Sequence, residues 1–267
     1  MRHILEAALL GILQGVTEFL PVSSTAHLLI GGRLLGYADP GGVFTTMIQL
    51  GSILALVWLY RVKIVAVATG LGSKPDARHF VLMIFVAFVP VVFAGAFLAR
   101  YVKTVLYNSM GVIAVAFIAG GVVMLLVERF RPRPTVYDAD ITPVGRALGI
   151  GLTQVLTLVP GVSRSGATIV GGMLAGLDRP AAAEFSFFLA IPTMAAAFAH
   201  EMLDAKDYLA PERALDIAIG FVMAFIASLV VVKPFLIFVR RSGFVPFAWY
   251  RIVFGLALLA AMASGRF

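Results

Sequence analysis

Residues 11–32 read GILQGVTEFLPVSSTAHLLIGG and set Gln14, Glu18, Ser23, Ser24, Thr25 and His27 in an otherwise apolar stretch. Gln14 and Glu18 are four apart, and Ser24 and His27 are three apart. On a helix, each pair shares a face. A carboxylate, a hydroxyl and an imidazole so placed can supply base, nucleophile and acid. A second stretch, PGVSRSGATIVGG at 160–172, holds Ser163, Arg164, Ser165 and Gly166. A short Gly/Ser turn that opens a helix presents backbone N–H groups to an anion. Arg164 adds a forked cation suited to phosphate. The first stretch holds acid, base and nucleophile candidates; the second reads as an anion cradle.

Each residue also has a plain structural role open to it. Ser24 and Thr25 suit a helix N-cap. His27 suits a satisfied interior site, Glu18 a neutralising partner for Arg164, and Gln14 a bond to backbone freed at a helix break. Ser-Arg-Ser beside glycine is a weak anion motif alone. The complementarity of two separate stretches is what favours chemistry.

The elements that must position these residues follow from composition. Hydrophobic residues make up 61% of the 267 residues and charged residues 13%, against roughly half and a quarter in soluble domains. A core of this size cannot hide that much apolar surface. Several runs reach the roughly 20 residues that cross a bilayer as helix, and none alternates as barrel strands do. The chain reads as an all-α polytopic membrane protein. Its formal charge of +7 fits basic cytoplasmic loops. No basic stripe interleaved with aromatics points to nucleic acid. With no Cys, disulfides, thiolate chemistry and Cys-ligated zinc are excluded.

The chain also repeats. Residues 11–36 align without a gap on residues 151–176, and Gly11, Gln14, Thr17, Val22, Ser23, Gly31, Gly32, Leu34 and Gly36 recur 140 positions later. The expected organisation is one integral membrane domain, 1–267, with repeat one at 1–130 and repeat two at 141–267. Each repeat opens with a broken pair, 4–20 with 22–36 and 144–159 with 162–177, interrupted at Pro21 and at Pro160-Gly161. These pairs are expected to be re-entrant helical hairpins, tolerated in a membrane only where protein or a watery cavity covers them. Three transmembrane helices follow in each half, near 43–60, 80–99 and 110–127, then near 183–200, 214–232 and 244–264. Six transmembrane helices plus two hairpins result.

Three spans per repeat is odd, so the repeats must have inverted topology. Loops 61–79, 128–146, 178–182 and 233–243 would share one side and carry twelve Lys and Arg. The other side carries seven: Arg2, Arg33, Arg100, Lys103, Lys206, Arg213 and Arg266. Its 201–213 loop is acidic overall. The richer side is cytoplasmic by the positive-inside rule, so both termini face outward. Glu18, Arg164, Glu184 and Arg251 fall within apolar segments or at a break, where charge is costly and usually functional.

QGVTEFLPVSSTAH and PGVSRSGATI, with FTTMIQLGSILAL, AAEFSFFLAIP and FVPFAWYRI, closely resemble the undecaprenyl pyrophosphate phosphatase family (BacA/UppP) over nearly the whole chain. Two departures are Gln14, where some members have Glu, and Ala26, where glycine is common. Gln14 cannot act as a second anionic ligand or as a base. The resemblance implies a bacterial plasma (inner) membrane enzyme. It would remove one phosphate from undecaprenyl pyrophosphate at the outer face, recycling the carrier lipid for cell-wall synthesis, with a link to bacitracin resistance. A divalent cation, Mg²⁺ or Ca²⁺, is implied, with Glu18 as its expected ligand.

On this reading Arg164 and the backbone of Ser163–Gly166 hold the terminal phosphate, with Gln14, Thr25 and Ser165 lining the site. Ser24 is the preferred nucleophile and His27 its base, or the acid on the leaving phosphate. The variant has His27 attack while Ser24 binds phosphate. Glu18 binds the cation or orients His27. Arg251 resembles a family arginine expected to pair with Glu18 or touch phosphate. The competing class is a lipid-phosphate transporter or flippase, which needs the cradle but no nucleophile. Oligomeric state is left open, a homodimer included.

Overall fold

The computed structural model describes residues 2–106, 109–205 and 213–265. Lys206 and Arg266 lie outside these, as do residues 206–212 of the acidic loop and the side chains of Arg100 and Lys103. The helices are α1 (Arg2–Thr17), α2 (Ser24–Leu35), α3 (Val43–Leu59), α4 (Arg61–Gly70), α5 (Pro75–Tyr101), α6 (Met110–Phe130), α7 (Val144–Val155), α8 (Arg164–Leu174), α9 (Arg179–Ala205), α10 (Ala214–Ser242) and α11 (Val245–Ala263). Among the described residues there is no strand beyond an isolated bridge between Val136 and Leu177.

Among the described residues, six helical segments are long and apolar enough to cross a membrane: Pro40–Leu59, Pro75–Leu98, Met110–Phe130, Arg179–Leu203, Ala214–Ser242 and Val245–Ala263. Their outer faces are apolar. Phe85, Phe93 and Phe97 of α5 point outward, Phe97 at 81% exposure, so lipid must cover them. The segments match the sequence expectation in number and order but differ at the ends. Helix α5 starts five residues earlier, at Pro75, because proline is well suited to the first helical turn. Helix α10 runs to Ser242 and ends at Gly243, whose φ is 66°. Lys233, Arg240 and Arg241, expected in a loop, are therefore helical. Helix α4 was not anticipated within the 61–79 loop.

The two broken pairs are α1 with α2 and α7 with α8. Proline does not always break a helix here, since Pro90, Pro192 and Pro234 lie inside α5, α9 and α10. At Pro21 and Pro160-Gly161 the chain leaves helix altogether. Ser23 (φ 66°) and Ser163 (φ 74°) are the two non-glycine residues with positive φ among those described, and they are 140 positions apart. That conformation is costly for an L-residue.

Packing brings the two halves of the chain together. Helix α1 packs along α10, and α7 along α5. Gly11 permits the first contact and Gly151, its mate in the repeat, the second. A Cβ at either position would overlap a backbone carbonyl, that of Gly220 or of Ala87. Small residues allow this approach where lipid supplies no hydrophobic drive. Phe19, just before the first break, meets Phe187 of α9 edge-on at 5.4 Å. Both rings are fully buried. This contact places the first break beside α9.

Candidate active site

Helix α1 ends at Thr17, and the turn that follows starts with Glu18, whose N–H still bonds to Gln14 O at 2.9 Å. This local helical bond puts the two side chains side by side. Gln14 Nε2 donates to Glu18 Oε2 at 2.8 Å. Past Pro21, the left-handed Ser23 turns the chain so that α2 starts at Ser24. Ser24 Oγ then donates to the same Glu18 Oε2 at 2.6 Å. Both contacts are buried.

The other oxygen of Glu18 is held from the second hairpin. Arg164 Nη2 donates to Glu18 Oε1 at 2.9 Å, and Arg164 Nη1 to Ser186 O of α9 at 3.2 Å. Ser163 caps α8, its Oγ accepting from Gly166 N at 3.1 Å. Ser165 Oγ crosses back to Leu20 O at 2.7 Å. The two hairpin tips therefore meet, joined by an ion pair and a hydrogen bond.

Two polar atoms here have no partner among the described residues, Gln14 Oε1 and Arg164 Nε, both buried. Gln14 cannot flip to repair its own orphan. Its amide nitrogen must face Glu18, since two oxygens would repel. A buried orphan group costs about 1–3 kcal/mol. One orphan is an acceptor and the other a donor, so a cation and an anionic oxygen would satisfy them in turn.

Some residues sit where the sequence did not place them. His27 is buried three residues past Ser24, yet its ring nitrogens meet Ser23 O at 2.8 Å and Tyr250 Oη at 2.5 Å. The group bonded to Ser24 is Glu18. Among the described residues Arg251 pairs with no carboxylate, and Glu18 is taken by Arg164. Its guanidinium donates to Phe117 O, Pro21 O, Val162 O, Ala116 O and Gly161 O, at 2.9 to 3.4 Å. Five N–H donors thus meet five carbonyls, leaving none for phosphate in this arrangement. Arg251 staples both hairpin breaks to α6. The Gly166 N–H is occupied by its cap, which leaves the first N–H groups of α8 and the Arg164 fork for an anion. Thr25 is half-buried and joins none of these bonds. Glu184 lies elsewhere, 3.9 Å from Lys63 Nζ, which also pairs with Asp140.

Spacing gave no warning of Tyr250 or Ser186. Ser186 holds Arg164 through its carbonyl, and its hydroxyl accepts from Thr168 Oγ1 at 2.7 Å. A backbone contact of that kind has no residue-type signature.

The family model for "Bacitracin resistance protein BacA" matches residues 7–257. The chain belongs to this family. It is 48% identical over 265 residues to Undecaprenyl-diphosphatase 1 of Agrobacterium fabrum, covering 99% of each chain. It is 49% identical over 264 residues to Undecaprenyl-diphosphatase 2 of Paramagnetospirillum magneticum, covering 98% of this chain and 100% of that one. The Undecaprenyl-diphosphatase of Paracoccus denitrificans is 46% identical over 264 residues, with 99% of each covered. The Gln14–Glu18 pair and the Ser163–Ser165 turn are here the two sides of one part-buried ion pair.

Proposed function

We propose that this BacA-family protein hydrolyses undecaprenyl pyrophosphate to the monophosphate and inorganic phosphate within the membrane. One observation carries the reading: a buried Ser24 hydroxyl donates to a carboxylate whose other oxygen is held by Arg164. An anion carrier has use for the arginine but none for a hydroxyl poised on a base. Hydrolysis is therefore preferred over lipid-phosphate transport.

The terminal phosphate would sit between Arg164, whose free Nε is a donor in waiting, and the first turn of α8. Positioning and charge stabilisation carry most of phosphoryl transfer. Ser24 Oγ attacks the terminal phosphorus as its proton passes to Glu18 Oε2. The bond to the bridging oxygen breaks, and its electron pair leaves with the lipid monophosphate. Water then hydrolyses the phosphoserine. Gln14 keeps Glu18 aligned throughout. Thr25 and Ser165 border the site.

The donors present suit a hard divalent ion. Mg²⁺ is typically held by one or two carboxylates plus substrate phosphates, and Glu18 with Gln14 Oε1 would hold it here. Among the described residues no three His, Asp or Glu side chains form a cluster that would hold a metal, and the diphosphate itself would supply the further ligands. When bound, the ion neutralises charge on the phosphates.

Helix lengths and the distribution of basic residues support the topology. Helices α1, α2, α7 and α8 have 16, 12, 12 and 11 residues, or roughly 24, 18, 18 and 17 Å at 1.5 Å per residue. None spans a hydrocarbon core of about 30 Å. Each pair is a re-entrant hairpin in an inverted repeat. The site opens to the outer face of the bacterial plasma membrane, with both termini outside.

The test is phosphate release from a polyprenyl pyrophosphate by purified protein in detergent, with Mg²⁺ and with chelator. Metal-dependent release, lost in Ser24→Ala, supports the reading. No release from folded protein with added metal would favour the transporter.

A further inference from the structure

His27 makes two polar contacts, and they fix its tautomer. Ser23 O can only accept, so Nδ1 carries a hydrogen. In the neutral ring Nε2 holds the lone pair, and the Tyr250 hydroxyl donates to it across 2.5 Å. Aromatic rings lock the plane. Phe254 stacks on the imidazole at 4.8 Å and 24°, the Tyr250 ring lies at 5.7 Å and 13°, and Phe117 closes a third side at 5.8 Å. Tyr250 is itself held, since the next residue is Arg251, bound to five carbonyls.

The direction of this pair matters. Tyr250 is 43% exposed and shares the outward face of α11 with Trp249 and Val253, whereas Glu18 is 6% exposed. Nε2 therefore points to Tyr250, on the outward face of α11. Ser24 and His27 stand one helical turn apart on α2. A diphosphate whose terminal phosphorus lies at Ser24 would lay its lipid-linked phosphate along that same turn.

We propose that Tyr250 is a positioning residue for phosphate release. Its hydroxyl holds the Nδ1–H tautomer of His27 and fixes Nε2 at the edge of α2 along which the lipid-linked phosphate would lie, so that His27 serves the leaving group and Glu18 serves Ser24. The proposal rests on the phosphatase reading above. When His27 is protonated, the Tyr250 oxygen turns to accept from Nε2–H. As the bond from terminal phosphorus to bridging oxygen breaks, that oxygen keeps the electron pair and takes the Nε2 proton. The phenol O–H then turns back to the freed lone pair. The imidazole regains its proton from solvent.

Tyr250→Phe keeps the ring and its stacking and removes only the hydroxyl. In purified full-length protein with a polyprenyl pyrophosphate and Mg²⁺, kcat should fall about tenfold, part of the roughly 10²–10⁴ a positioned acid contributes. KM should stay within about twofold. In a His27→Gln background the same change should cost less than about twofold. Equal losses in both backgrounds would overturn the proposal, because Tyr250 would then not act through His27. A second readout needs no turnover. In ¹⁵N-histidine-labelled protein, the His27 ring signals are those lost in His27→Gln. The wild type should show Nδ1–H, and Tyr250→Phe should shift the ring toward mixed tautomers. An unchanged His27 spectrum would sink the proposal whatever the activity. A shifted spectrum with no phosphate release from wild type would count against the phosphatase reading alone.

Discussion

Ser23 and Ser163, 140 residues apart, both hold a left-handed backbone, with φ of 66° and 74°. Each ends a hairpin break and opens a short helix, α2 or α8. They differ in what the side chain does. Ser163 Oγ accepts from Gly166 N, while Ser23 makes no capping bond. Alanine keeps the Cβ, and so the backbone strain, in both. Ser163→Ala should therefore cost about 1 kcal/mol or more through the lost cap, and Ser23→Ala close to nothing. Thermal unfolding in detergent would compare them, and the reverse order would contradict this account of the two turns.

Arg164 spans Glu18 Oε1 and Ser186 O with its two terminal nitrogens. Lysine keeps the charge and loses the fork. Arg164→Lys should lower kcat/KM by roughly 10- to 100-fold, a loss of about 1.4–2.7 kcal/mol of transition-state stabilisation. Steady-state hydrolysis of a polyprenyl pyrophosphate measures it. Wild-type rates in this variant would mean that phosphate does not use the fork.

Arg251 is 1% exposed and spends its five donors on carbonyls of α6 and both breaks. A lysine has three donors, so at least two of these carbonyls lose their bond. Arg251→Lys should destabilise the fold by roughly 2–4 kcal/mol. The melting temperature should fall even with no substrate present. A stable protein with only a raised KM would return Arg251 to the phosphate-contacting role its resemblance suggested.

Gln14 brings an amide where a second carboxylate would fit, and its Oε1 is buried without a partner. Gln14→Glu should place two anionic oxygens beside the Glu18 carboxylate. The Mg²⁺ concentration giving half-maximal activity should drop several-fold, since hard cations favour added carboxylates. Chelator should still abolish turnover. An unchanged metal requirement would place the cation away from Gln14.

The chain has no cysteine, so single thiols report sidedness cleanly. Ala38 and Ser73 are both exposed in connecting segments. In intact cells a membrane-impermeant maleimide should label Ala38→Cys and spare Ser73→Cys. In inside-out vesicles the labelling should reverse. Labelling of both from one side would rule out the proposed orientation.

Much of this was fixed by sequence alone. Too much apolar surface for one core dictates a membrane class, and six segments of sufficient length follow from it. Gln14 and Glu18 sit side by side because four residues make about one helical turn, a purely local rule. The breaks at Pro21 and Pro160-Gly161 are local as well. What spacing along a chain cannot decide is which groups meet across separations of 146 or 223 positions. Ser24 and His27 share a helical face as expected, yet Ser24 bonds to Glu18 and His27 to Tyr250. Arg251 looked like a site cation, and packing made it a staple for backbone that the breaks left unbonded. Those outcomes depend on how α6, α9 and α11 close around the hairpins. Only the packed tertiary structure sets these partners, because a buried donor bonds to whatever acceptor packing brings within about 3 Å.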